Sequence, residues 1–258
     1  MVYEQIVLST KAPIACITLN NPAKLNALSQ RMIGEISDAL ETIAGDETVK
    51  VIIVRAEGKH FCAGHYLDEM VDEGLKEYKN IFDRCNRMMQ LIHEVPQPVI
   101  AQVNGVATAA GCQLVAWCDL AVAEAGARFA TPGVRIGLFC TTPMVAVTRA
   151  IGRKAAMEML LTGRFFSAQE AKDLGLVNRV VPVEQLAEET EKLALQIAEA
   201  SRFVLAIGKQ AFYAQVDQTD DKAMHYTKHT ITMNLMADDA QHGIHAFIDK
   251  KKPEWKNR

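Results

Sequence analysis

The chain predicts an α/β fold with a helical C-terminal region, and three observations carry that prediction. Short runs such as Val51-Ile52-Ile53-Val54 and Val99-Ile100-Ala101-Gln102-Val103 have the nearly unbroken apolar character of strands buried on both faces. Segments with apolar residues at helical spacing stand between them. After Val183 the strand pattern stops and everything that follows reads helical.

Ile6 to Leu8 and Ile14 to Leu19 read as antiparallel strands joined at Lys11-Ala12-Pro13, with Asn20-Asn21-Pro22 as a turn. Ser29 caps a helix whose apolar positions Met32, Ile33, Ile36, Leu40 and Ile43 share one face, and Gly45-Asp46 ends it. Val51 to Arg55 is a buried strand. Glu57-Gly58-Lys59-His60 then turns into Phe61-Cys62-Ala63-Gly64-His65. The spacing predicts a helix over Leu75 to Glu94, with Ile81, Met88, Leu91 and Ile92 inward and Pro96 and Pro98 stopping it.

Asp119 to Ala123 reads as a buried strand and Arg128 to Pro132 as a short one. A loop from Gly137 to Pro143 leads into a helix through Arg149. Lys154 to Thr162 is helical, with Met157, Leu160 and Leu161 inward. Ser167-Ala168-Gln169-Glu170 is a capping box opening a helix that ends at Gly175. Leu176 to Val181 is a strand closed by Pro182, and Gly243 interrupts the Met- and His-rich stretch Thr219 to Asp249.

Residues 99–119 organise the chain. A strand ends at the turn dipeptide Asn104-Gly105, a cluster of small residues runs from Ala107 to Gly111, and an apolar helix-like run ends at Asp119. Small residues allow close approach to the backbone, and a helix start presents unpaired N–H groups with a partial positive charge. That combination suits an oxyanion or a phosphate. Tight helix–strand packing with no ligand is the alternative reading.

A hydrophobic content of 49% over 258 residues supplies a full core. The formal net charge of −3 and a sequence pI of about 6.2 leave no basic footprint for nucleic acid and no polybasic patch for a membrane surface. Met1 to Leu8 lacks the pattern of a secretory signal and reads as the first strand. Cys16, Cys62, Cys85, Cys112, Cys118 and Cys140 are scattered in apolar segments without a C-x-x-C pair, so neither a metal site nor a disulfide framework is expected. A reduced, cytoplasmic protein is the expectation.

Two glycine-bearing loops, Phe61-Cys62-Ala63-Gly64-His65 and Asn104-Gly105 through Gly111-Cys112-Gln113, occur with Leu19-Asn20-Asn21-Pro22-Ala23-Lys24-Leu25-Asn26-Ala27-Leu28, Leu161-Thr162-Gly163, Ala168-Gln169-Glu170-Ala171 and Gly175-Leu176-Val177. Taken in their order along the chain, they resemble the crotonase (enoyl-CoA hydratase/isomerase) superfamily over essentially the whole chain. The resemblance implies a spiral core of ββα turns over residues 1–200. It also implies a helical region, 201–258, that drives assembly into a homotrimer or a dimer of trimers. The implied ligand is an acyl-CoA, so coenzyme A enters as part of the substrate and no cofactor is held permanently.

Carried over by motif, the thioester carbonyl is bound by the backbone N–H groups of His65 and Ala110. Such donors stabilise the enolate-like oxyanion formed when a thioester reacts at Cα or Cβ. Lys24, Leu25 and the backbone near Ala63 are implied contacts of the CoA body. Phe247 and Lys250 are implied to reach a neighbouring subunit's adenine and phosphates.

The sequence departs from the hydratase pattern at both acid–base positions, which fall at Gln113 and Gly133. An amide cannot shuttle a proton at neutral pH, and glycine offers no side chain. Ordinary hydration is therefore expected to be slower by several orders of magnitude. Cys140 stands in the loop where other members place a catalytic carboxylate. His65 carries an imidazole beside the first amide, Asp68 and Glu69 follow on the next turn, and Tyr66 is a candidate hydrogen-bond donor. Malonyl-type decarboxylation, thioester hydrolysis through Cys140 and non-catalytic acyl-CoA binding are the competing functions.

Overall fold

The computed structural model describes residues 2–258, which form a mixed α/β fold. β1 (Ile6–Lys11) and β2 (Ile14–Leu19) pair antiparallel, with Leu8 opposite Ile17. α1 (Gln30–Ala44) follows, and the Ser29 side chain accepts a hydrogen bond from Met32 N–H at its start. β3 (Val51–Ala56) lies parallel to β2, α2 spans Leu75–Glu94, and β4 (Val99–Val103) lies parallel to β3.

Burial on both faces explains the apolar run in β3. Ile52 and Val54 face the main core with Met32 and Ile36 of α1 and Met88 and Ile92 of α2. Val51 and Ile53 face the opposite side and pack with Leu186, Leu193 and Ala194.

β5 (Val106–Thr108) is a strand where the run of small residues predicts a loop. Val106 and Thr108 favour a strand, but three residues after a turn dipeptide are too short to signal one; their backbone pairs because the parallel neighbours Arg128–Ala130 and Cys62 stand beside it. α3 (Ala110–Trp117) and β6 (Leu120–Glu124) come next, then β7 (Arg128–Ala130), α4 (Thr141–Ala150) and α5 (Arg153–Thr162). β8 (Phe166–Ser167) leads into α6 (Ala168–Leu174), opened by the Ser167–Glu170 capping box, and β9 (Arg179–Val181) ends the strands. The large sheet has the order β1-β2-β3-β4-β6-β9 and the small one β5-β7-β8.

α5 turns a different face inward from the expected one. Ala156, Met159 and Leu160 are buried, whereas Met157 and Leu161 are 50% and 56% exposed. Two overlapping stripes, 156/159/160 and 157/160/161, both satisfy helical spacing. The turn at Pro132–Ile136, against which α5 packs, selects the first.

α7 (Leu186–Ala198), α8 (Arg202–Gln215), α9 (Asp220–Asn234) and α10 (Asp238–Ile248) complete the helices. The break between α9 and α10 falls at residues 235–237, not at Gly243, which lies inside α10. Glycine is there for room: a Cβ at 243 would stand 3.1 Å from the Trp255 ring. Residues 251–258 are not helical, another departure from the expectation. Asp239 holds this tail by accepting from Lys256 N–H at 2.6 Å and Asn257 N–H at 2.8 Å.

α8 is fixed to the core through a buried ammonium. Lys209 Nζ donates to Ile92 O at 2.6 Å and Gln97 O at 2.8 Å and pairs with Asp119 at 2.8 Å. Asp119 also accepts from Val99 N–H at 2.6 Å and from the Tyr213 hydroxyl at 2.7 Å.

Candidate active site

Two loops are stitched together beside the small sheet. Cys62 N–H donates to Val106 O at 3.1 Å, Thr108 N–H to Cys62 O at 2.9 Å, and the Thr108 hydroxyl to Ala63 O at 3.0 Å. Contact is close because Gly111 has no side chain; a Cβ there would lie 2.3 Å from Cys62 O. Asn26 braces the first loop from beneath, donating from Nδ2 to Glu57 O and His60 O, each at 2.9 Å.

This stitching decides which amides stay free. Leu28 N–H donates to Gly64 O at 2.7 Å and Tyr66 N–H to Leu28 O at 3.2 Å, forming a parallel bridge between Leu28 and His65. Residues 64 and 66 thus face Leu28, and the His65 amide between them turns the other way. Among the described residues it has no backbone acceptor. Ala110 opens α3, so its N–H lies in the first turn, where the helix supplies no acceptor. Both residues line one cavity of about 730 Å³, together with Ala63, Phe82, Gly133 and Cys140.

The backbone strain at this turn falls on Ala109, the residue before the amide donor. Its φ of 49° and ψ of −118° are those of a turn position normally held by glycine. Gly64 packs against it: a Cβ at 64 would meet Ala109 Cβ at 2.8 Å.

The side chains around the cavity are mostly uncharged. Burial lowers the His65 imidazole from its ordinary range to about 4, so it is neutral at pH 7. Its Nε2 has no partner among the described residues, and the ring meets Phe82 edge to face at 5.3 Å. Burial raises the Cys140 thiol, with a smaller opposing effect from the Gly133 backbone, and this works against the nucleophile considered from sequence. Asp68 is the one carboxylate among the described lining residues. Glu69 is engaged elsewhere, accepting from Gln30 N–H at 2.8 Å.

Gln113 is absent from the described lining. It is 3% exposed and its Oε1 is unpartnered. Ala110 and Gln113 share a helix face, a spacing that aims 113 at the site, but position 113 lies one turn on, about 4.5 Å further along the axis, and is not part of the lining.

Lys24 stands at the neighbouring edge with its Nζ 5.3 Å from the Tyr66 ring centre. Tyr66, first by hydrogen bonding, and then Asp68 by its charge raise the Lys24 pKa. Leu25 is 51% exposed on the same turn. Phe247 and Lys250, at the end of α10, are exposed and do not reach this chain's own cavity. The sequence reading did not single out Phe82 or Arg135, both of which line the cavity. Arg135 had a usable signal, a lone cation in an otherwise apolar loop two residues after Gly133.

Fold and site define a class in geometric terms: an α/β protein in which two residues whose main-chain N–H groups have no backbone acceptor among the described residues line one largely apolar cavity. The chain belongs to the enoyl-CoA hydratase/isomerase family, whose match spans residues 9–258. It is 48% identical over 250 residues to enoyl-CoA hydratase domain-containing protein 3, mitochondrial, of Xenopus laevis, covering 96% of this chain and 85% of that protein. The Homo sapiens protein of the same name is 48% identical over 240 residues, 93% of this chain and 79% of that protein.

Among solved structures, human enoyl Coenzyme A hydratase domain-containing protein 3 superposes with a TM-score of 0.96 at 46% identity, over 98% of this chain and 100% of that one. An enoyl-CoA hydratase of Mycobacterium smegmatis superposes with a TM-score of 0.95 at 46% identity, over 98% and 99%. No helix among the described residues is long and apolar enough to cross a membrane.

Proposed function

We propose that this protein binds an acyl-CoA thioester in the cavity and polarises its carbonyl with the N–H groups of His65 and Ala110. The reaction class is one that proceeds through an enolate-like oxyanion without a pair of glutamates. One observation carries this reading: His65 and Ala110, whose amides have no backbone acceptor among the described residues, line one cavity on which Gly133 stands and no glutamate does. Each such donor is worth about 3–4 kcal/mol to a developing oxyanion.

Lys24, Leu25 and the backbone at Ala63 hold the CoA body, and Phe247 and Lys250 serve a neighbouring copy. The exposed Met224, Ile231, Met233, Met236, Phe247 and Ile248 support assembly through α9 and α10 into a trimer or a dimer of trimers. Coenzyme A arrives with the substrate, and neither a metal nor a resident cofactor has a role. No nucleic acid or membrane partner is part of the reading. The proposed compartment remains the cytoplasm; the relatives carry the word mitochondrial in their names, and fractionation of the host cell decides.

Decarboxylation of a malonyl-type CoA is the second reading, favoured by the His65 Nε2 that stands on the cavity without a partner among the described residues and can hydrogen-bond the departing carboxylate. The C–C bond electrons pass into the thioester as CO2 leaves, the two amides hold the enolate, and solvent then protonates Cα. No general base is required.

The test is a panel of acyl-CoA esters read by mass spectrometry for bound and converted species, with crotonyl-CoA hydration followed by loss of conjugated-thioester absorbance. Binding with negligible hydration is expected. Fast hydration, or no binding of any ester, rejects the proposal. CO2 from methylmalonyl-CoA selects the second reading, and an acylated Cys140 would restore thioester hydrolysis.

A further inference from the structure

We infer that the acyl group taken by this cavity ends in a carboxylate, and that Arg135 receives it. This rests on the acyl-CoA reading above and adds a substrate class to it.

Arg135 lines the same cavity as His65, Phe82 and Cys140. Its one hydrogen bond among the described residues is weak, from Nε to Thr162 O at 3.4 Å, which leaves the two terminal nitrogens free. Room for the side chain comes from the adjacent glycine: a Cβ at Gly163 would stand 3.2 Å from Arg135 Nε.

The other charged lining residue does not neutralise it. Asp68 lines the same cavity but forms no ion pair with Arg135 among the described residues. The Arg135 charge thus has no ion-pair partner among the described residues and stands among the apolar side chains of Ile136, Leu138 and Phe139. A guanidinium presents parallel N–H donors matched to a carboxylate. Because Arg135 is exposed, the recognised group sits at the cavity mouth, at the far end of the acyl chain. Solvent screening there holds the effect to about 3- to 10-fold in affinity.

The experiment measures Kd for matched pairs, valeryl-CoA against glutaryl-CoA and hexanoyl-CoA against adipoyl-CoA, with free CoA alongside. The unmodified protein is compared with Arg135→Gln and Arg135→Lys. A preference of about 3- to 10-fold for one or both dicarboxylic esters is expected, falling with added salt. It should vanish in Arg135→Gln and persist in part in Arg135→Lys, while the monocarboxylic esters change less than about 2-fold.

Equal affinity for both members of every pair overturns this inference and leaves acyl-CoA binding intact. Equal weakening of free CoA and all esters in Arg135→Gln also overturns it, by placing the guanidinium on the CoA phosphates. If no ester binds, the acyl-CoA reading fails and this inference fails with it.

Discussion

Cys140 Sγ lies 2.8 Å from the point where a Cβ on Gly133 would begin, and Leu138 O lies equally close. The position where the resemblance places a catalytic acid is therefore filled from across the loop by a thiol and a carbonyl. Gly133→Ala should lower stability by about 1–3 kcal/mol, as overpacking does. Cys140→Gly in the same chain should recover part of that loss, with a coupling energy of at least about 0.5 kcal/mol. Urea unfolding of the single and double variants measures both. Additive effects would show that the two positions are independent.

Ala109 holds a backbone conformation suited to glycine immediately before the Ala110 amide. Relief of strain outweighs the added chain entropy of glycine there, so Ala109→Gly should stabilise the protein by about 1 kcal/mol. The midpoint of denaturant unfolding reads the change. A lower midpoint would mean that the alanine methyl packs more favourably than the turn is strained.

His65 sets an acid limit on stability. Its folded pKa, about 4, lies below the ordinary value, so the unfolded chain binds the proton more readily. Stability from this group is fully present above about pH 6.5. It is lost as pH falls toward 4, by up to about 3 kcal/mol at about 1.4 kcal/mol per unit. Unfolding free energies between pH 7 and 4.5 should show a smaller loss in His65→Gln than in the parent. His93, stacked between Trp117 and Tyr213, is lowered in the same direction by burial and contributes to the slope that remains.

Lys209 and Asp119 form a buried pair whose partners are all satisfied. Lys209→Met leaves the Asp119 charge uncompensated and should cost about 3–5 kcal/mol, read by thermal or urea unfolding. Lys209→Met with Asp119→Asn should cost less than the single change plus the loss from Asp119→Asn alone, because the stranded charge is gone. Equal costs would mean that water reaches the site on removal of the lysine.

Local chemistry made much of the fold legible. The bounds of α2 match the expectation from Leu75 to Glu94 because periodicity and the following prolines act within one segment. The Ser29 cap and the Ser167–Glu170 box are short-range hydrogen bonds, and both form. β5 and the buried face of α5 were not legible, since each depends on what packs against it. The loops lining the cavity were marked by their glycines. The placement of Arg135 on the cavity and of Gln113 outside its lining was not.

By itself the sequence determined most of the strands and helices through β9, the caps, and the absence of carboxylates at 113 and 133. Those properties follow from residue identity and from contacts a few positions apart. Tertiary structure alone decided that Cys140 fills the space beside Gly133 and that Arg135 stands on the cavity without an ion-pair partner among the described residues, while residues 65 and 110, paired by the resemblance, come together on that cavity. Such relations join residues far apart in the chain, and their geometry exists only once the backbone hydrogen bonds between loops have formed.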